Sequence, residues 1–145
     1  MTRRKDPLSI VKQLADIAEL KKSQQVAASI VVLSEEEQRL AVLERYLEEY
    51  RIDASEQTLL GITALKSRRD FLAALDAAVR EQGAQVTRLR AQLERKLHSW
   101  RGAKAKANAV GRFTDRREDQ LQRARARAEQ AVLDDSGRWP RPDDR

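Results

Sequence analysis

Residues 65–100 read LKSRRDFLAALDAAVREQGAQVTRLRAQLERKLHSW, and the spacing of their apolar positions decides the fold. Alternate steps of three and four from Leu65 reach 68, 72, 75, 79, 82, 86, 89, 93, 96 and 100. The same count continues through 103, 107, 110, 114, 117, 121, 124, 128 and 131. Fifteen of these twenty positions are apolar, among them Leu72, Leu75, Val79, Val86, Leu89, Leu93, Trp100, Val110 and Leu121. A period of 3.5 residues sustained over nearly ten heptads keeps one stripe of a helix facing a neighbour as the two supercoil. The stripe then thins to Ala103, Ala107, Ala124, Ala128 and Ala131. Alanine removes little area from water, so this half should hold a neighbour less firmly.

The neighbour has to come from upstream. Asp6-Pro7 is a helix start, with Asp6 accepting from unpaired amides and Pro7 at a position where its missing N–H costs nothing. No glycine or proline follows until Gly61. Between them Ile10, Leu14 and Ile17 recur at helical spacing, then Val26, Ile30 and Leu33, then Leu40, Leu43, Leu47 and Tyr50. The polar run Lys21 to Gln25 interrupts this stripe, and the register is expected to drift there. Gly61-Ile62-Thr63 is the one interior turn, with Gly61 suited to a left-handed helix end and Thr63 to starting the next helix. Leu59, Leu60 and Ile62 are expected to plug that end. Gly137, Pro140 and Pro142 stop the second helix. The sequence therefore predicts an all-α fold, a long antiparallel two-helix coiled-coil hairpin forming a single domain. Helix one should span about residues 7–57, the turn 58–63, helix two 64–134 and a loose tail 135–145.

The helices are unequal, about 75 and 105 Å at 1.5 Å per residue. Folded back at Gly61, residue 7 meets roughly residue 115, and about twenty residues of helix two overhang. They carry Arg116, Arg117, Arg123, Arg125 and Arg127, with Arg112 just before them. The net charge of +6 is unevenly spread. Residues 35–56 hold eight acids and three arginines, whereas residues 101–131 hold nine bases and four acids. The acidic band should lie opposite residues that include Arg80, Arg88 and Arg90, setting register more than stability.

Composition narrows the function. There is no cysteine and only His98, so thiolate chemistry and zinc–sulfur sites are excluded and no metal site or cofactor is expected. No run approaches the ~20 apolar residues of a membrane span, which points to the cytoplasm. No glycine-rich phosphate loop exists, since Gly102 and Gly111 interrupt a helix rather than follow a strand. A two-helix rod offers no enclosed site in which to tune a catalytic pKa, so no catalytic residue is expected.

Some residues exceed what a coiled coil needs. Phe71 stands beside the seam, with Ala74, Leu75 and Ala78 continuing its strip. Leu43, Tyr46 and Tyr50 form a second strip on helix one, and across the hairpin 46 and 50 fall near 72–76. These strips either roof a thin core or make a partner site; aromatic anchors favour the second. Trp100 is read as filling a wide spot in the seam. Phe113 and Trp139 are nonspecific candidates for anchoring a partner.

The strings Tyr46-Leu-Glu-Glu-Tyr50-Arg51, Gly61-Ile62-Thr63 and Phe71-Leu-Ala-Ala-Leu75-Asp-Ala-Ala78-Val79 resemble FliJ, the flagellar type III export protein family. Leu97-His-Ser-Trp100-Arg101 and Asp115-Arg116-Arg117 fit the same family, and the resemblance spans roughly residues 8–130. It implies an antiparallel coiled coil similar to the central stalk of rotary ATP synthases. It implies binding to a FliI-like hexameric export ATPase and to the cytoplasmic domain of an FlhA-like export gate, with help in recycling export chaperones. The family's gate-binding surface corresponds here to Phe71, Leu75 and Ala78, with Leu43, Tyr46 and Tyr50 on helix one. Two rim positions depart, a glutamine being Arg39 here and a histidine Gln82. The arginine-rich overhang, Arg112 through Arg127, is the expected contact with the ATPase ring. Membrane association would be peripheral, through the export apparatus at the inner membrane.

Two rivals remain. A virulence secretion stalk shares the architecture. A nucleic-acid-binding hairpin gains support from a pI of 10.0 and the arginines. Against it stand the acidic band and the lack of a stacking platform, so no nucleic acid is expected.

Overall fold

A computed structural model describes residues 6–56 and 61–137. It consists of two helices, α1 (Pro7–Glu56) and α2 (Ile62–Gly137), packed against each other with no strand among the described residues. The fold is the all-helical pair that the 3.5-residue repeat requires. Leu59, Leu60 and Trp139 lie outside the described residues.

The helix starts show how local chemistry sets the boundaries. The Asp6 carboxylate accepts from Leu8 N at 3.3 Å, and its carbonyl accepts from Ile10 N at 3.3 Å. Asp6 therefore caps α1 as its position before Pro7 suggests. The expectation for Gly61 and Thr63 is corrected. No described glycine has positive φ, so Gly61 does not close α1 in a left-handed conformation. It instead precedes α2, accepting from Leu65 N at 3.1 Å, and Thr63 lies inside the first turn. Ile62 is exposed rather than a plug.

The contacts fall into two units: residues 20–101, and the described residues before 20 together with those after 101. In the first unit Val26 and Leu47 of α1 and Leu75 and Val86 of α2 are buried, with Val86 only 1% exposed. Leu33, Leu40, Leu72, Val79, Leu89, Leu93 and Trp100 are half-buried around them. Three expected seam positions fail: Ile30 and Leu65 are exposed, and Lys96 is exposed with Leu97 half-buried in its place. An unpaired ammonium is costly to bury. The seam therefore steps from 93 to 97 to 100, and Lys96 Nζ reaches across to Ser29 Oγ at 2.7 Å.

Cross-helix polar bonds fix this unit's register. Lys22 Nζ donates to Ser99 Oγ at 2.6 Å, Arg90 pairs with Glu37 at 2.9 Å, and Arg51 pairs with Asp76 at 3.5 Å. Of the three arginines expected opposite the acidic band, only Arg90 engages it. Arg80 pairs instead with Asp76 one turn away on α2 (3.1 Å), and Arg88 donates to Gln85 of its own helix. Neighbours at i, i+3 and i, i+4 are simply nearer.

The second unit overturns part of the α1 stripe. Ala15 is buried at 8% exposure, while Ile10, Leu14 (61%) and Ile17 are exposed. The inward face there is Leu8, Lys12, Ala15 and Glu19. Its α2 counterpart is the alanine-thinned stretch in which Ala107 is buried and Ala103, Val110 and Thr114 are half-buried. Small residues on both helices let the backbones approach closely, a fit that bulky Leu14 or Ile17 would prevent. From Asp115 to Gly137 every residue of α2 is exposed, so the repeat positions Arg117, Leu121, Ala124, Ala128 and Ala131 pack against nothing among the described residues.

Candidate partner-docking surfaces

Helical spacing brings the aromatic strips together in the residue 20–101 unit. Phe71 of α2 meets Tyr50 of α1 with ring centroids 4.7 Å apart and planes inclined at 56°, a tilted packing that aromatic quadrupoles favour. Phe71 remains 46% exposed, Tyr46 is more open still, and Leu43, Tyr50 and Ala78 are half-buried. Leu75 differs: at 9% exposure it lies in the core with Leu47, supporting the patch from within rather than offering itself to a visitor. The exposed part of the candidate patch is therefore Tyr46, Tyr50, Phe71 and the edges of Leu43 and Ala78.

The two rim positions that depart from the family pattern converge on one carboxylate. Arg39 Nη1 pairs with Glu36 Oε1 at 3.0 Å. Gln82 Nε2 donates to the other oxygen, Glu36 Oε2, and to the Glu36 backbone carbonyl at 3.1 Å. The Glu36 side chain is sunk toward α2 while the Arg39 guanidinium stands out at 69% exposure. This hub escaped sequence reading because Glu36 sits in the run Glu35-Glu36-Glu37, which looks like an ordinary solvated face. The apolar residues Val32 and Val42 on α1 were also missed, both lying outside the main repeat.

The arginine-rich stretch lies where expected. Arg112, Arg116, Arg117, Arg123, Arg125 and Arg127 are all exposed on α2. They are interleaved with Asp115, Glu118 and Asp119, so residues 112–127 carry six bases against three acids. The surroundings are greasier than charge alone suggests. Phe113, Leu121, Val132 and Leu133 are exposed on α2, as are Ile10, Val11, Leu14 and Ile17 on α1. A hollow of about 450 Å³ between Pro7, Leu8, Val11 and Ala109, Val110, Phe113 opens beside them.

Among the described residues no cluster of His, Asp or Glu could hold a metal ion, and no helix is long and apolar enough to cross a membrane. His98 is exposed. Fold and surfaces together define a helical pair with exposed apolar and charged faces. The family model described as Flagellar FliJ protein matches residues 4–138, and the chain belongs to that family. It is thus a component related to flagellar type III export. No curated protein and no solved structure is significantly similar to the chain.

Proposed function

We propose that residues 1–145 act as one coiled-coil domain, a non-enzymatic stalk between the export ATPase and the export gate. The aromatic patch of Tyr46, Tyr50 and Phe71 meets the cytoplasmic domain of an FlhA-like gate. Residues 112–127 and the exposed apolar side chains around them meet a FliI-like hexameric ring. The protein works in the cytoplasm, peripheral to the inner membrane, and assists the cycling of export chaperones.

The observation that carries the reading is the tilted Tyr50–Phe71 pair, half open to solvent in a chain with only two phenylalanines and two tyrosines. An exposed aromatic cluster on a protein otherwise rich in charge marks an interaction site. The Phe71→Ala variant tests it. Affinity for the gate domain should fall by about tenfold or more, as for an interface anchor, while helicity is retained. Unchanged gate affinity and unchanged export would sink the assignment. For the other surface, removing residues 118–145 should weaken binding and stimulation of the ATPase ring; a ring that responds as before refutes that half.

A further inference from the structure

One flank of the residue 20–101 unit is more apolar than the aromatic pair accounts for. A hollow of about 220 Å³ is lined by Ala28, Ser29 and Val32 of α1 and Leu89, Gln92 and Lys96 of α2. A second, of about 500 Å³, is lined by Glu35, Gln38, Arg39, Val42 and Leu43 of α1 and Gln82 of α2. Steps of three and four residues lead along α1 from Ala28 through Val32, Arg39 and Leu43 to Tyr46 and Tyr50. The same steps lead back along α2 from Lys96 through Leu89, Gln82 and Ala78 to Phe71. Residues so spaced share one side of a helix, so both hollows and the aromatic pair lie on a common face. From residue 28 to residue 50 that face runs for about 33 Å at 1.5 Å per residue.

We propose that this face is a single groove for an amphipathic helix of the partner, about 22 residues long, lying beside α1 and α2 as a third strand. The inference rests on the aromatic patch being a partner site, and it specifies what that partner presents. The occupant is a helix because α1 and α2 have already used their backbone donors and acceptors internally. An extended segment would find no ladder to join, whereas a helix brings its own hydrogen bonds. Shallow hollows between two helices are holes into which side chains at i, i+3, i+4 and i+7 of a third can fit.

The charges specify the occupant further. Glu36 is held by Arg39 and Gln82, and Glu37 by Arg90. Glu35 and the outward part of Arg39 are left one turn apart on the groove's edge. The matching helix carries an apolar stripe flanked by a base and an acid one turn apart, facing Glu35 and Arg39 respectively.

The test uses the full chain and the export gate's cytoplasmic domain as probe, with far-UV circular dichroism on every variant. Val32→Glu and Val42→Glu should each weaken binding about tenfold or more. Val31→Glu, at an exposed position lining neither hollow, should change it less than about twofold. Hydrogen exchange should protect one continuous stretch of about 20 residues in the gate domain. Wild-type affinity in both Val32→Glu and Val42→Glu overturns the groove, as does protection scattered over a folded face. Loss of affinity in Phe71→Ala alone would leave the patch and remove the groove; loss in the valine variants alone would remove the patch and, with it, the single groove that includes it.

Discussion

The same two helices meet under different terms in their two units. In residues 20–101 the interface is closed by Val26, Leu47, Leu75 and Val86 and tied across by Lys22–Ser99, Lys96–Ser29, Gln82–Glu36 and Arg90–Glu37. In the other unit the buried residues are Ala15 and Ala107, and the large apolar side chains Ile10, Leu14, Ile17 and Phe113 look outward. The difference teaches that hydrophobicity alone does not choose the packed face. Where α2 offers alanine, α1 answers with its own alanine, and its bulkier stripe is left for something else. One unit closes its interface with large apolar side chains, and the other closes on alanine and leaves its large ones outside.

The contrast can be broken experimentally. Leu47→Ala removes a side chain from the closed interface and should lower unfolding free energy by about 2–4 kcal/mol in urea titrations. A loss below about 1 kcal/mol would mean that this unit is no better packed than the other. Ala15→Leu should cost about 1–3 kcal/mol by forcing the close-packed backbones apart. A stabilised variant would show that the alanine contact has room to spare. Arg90→Ala should cost up to about 1 kcal/mol, an effect that shrinks as salt is raised, since the pair is exposed. Leu14→Ser should stay within about 0.5 kcal/mol of wild type in the same titration, because the side chain faces water. If Leu14→Ser matched Leu47→Ala in cost, the two faces of α1 would have been wrongly distinguished.

Most of the fold was legible because α2 repeats one stripe for most of its length, and as far as Thr114 a neighbouring helix covers that stripe. α1 was harder to read. In residues 8–20 it carries two stripes on opposite faces, Ile10-Leu14-Ile17 and Leu8-Ala15, and the greasier one attracts the eye. The choice between them depends on the thickness of α2 at the same level, which is tertiary information. The slip at Lys96 has the same character, since Leu97 is an equally good neighbour one residue on. At the candidate site, Tyr50 and Phe71 were readable as flanking residues brought level by folding back at Gly61. Leu75 in the core follows from its place in the repeat, whereas the gathering of Arg39 and Gln82 by Glu36 depended on how far each side chain leans across the seam.

The unaccompanied run of α2 from Asp115 to Gly137 has a thermodynamic consequence of its own. A peptide of that length in water sits close to balance between helix and coil, because propagation barely outweighs nucleation without a neighbour. Whatever seizes this segment must therefore supply part of its order, and the interaction energy is reduced by that amount. Such a handle is specific when held and quickly surrendered.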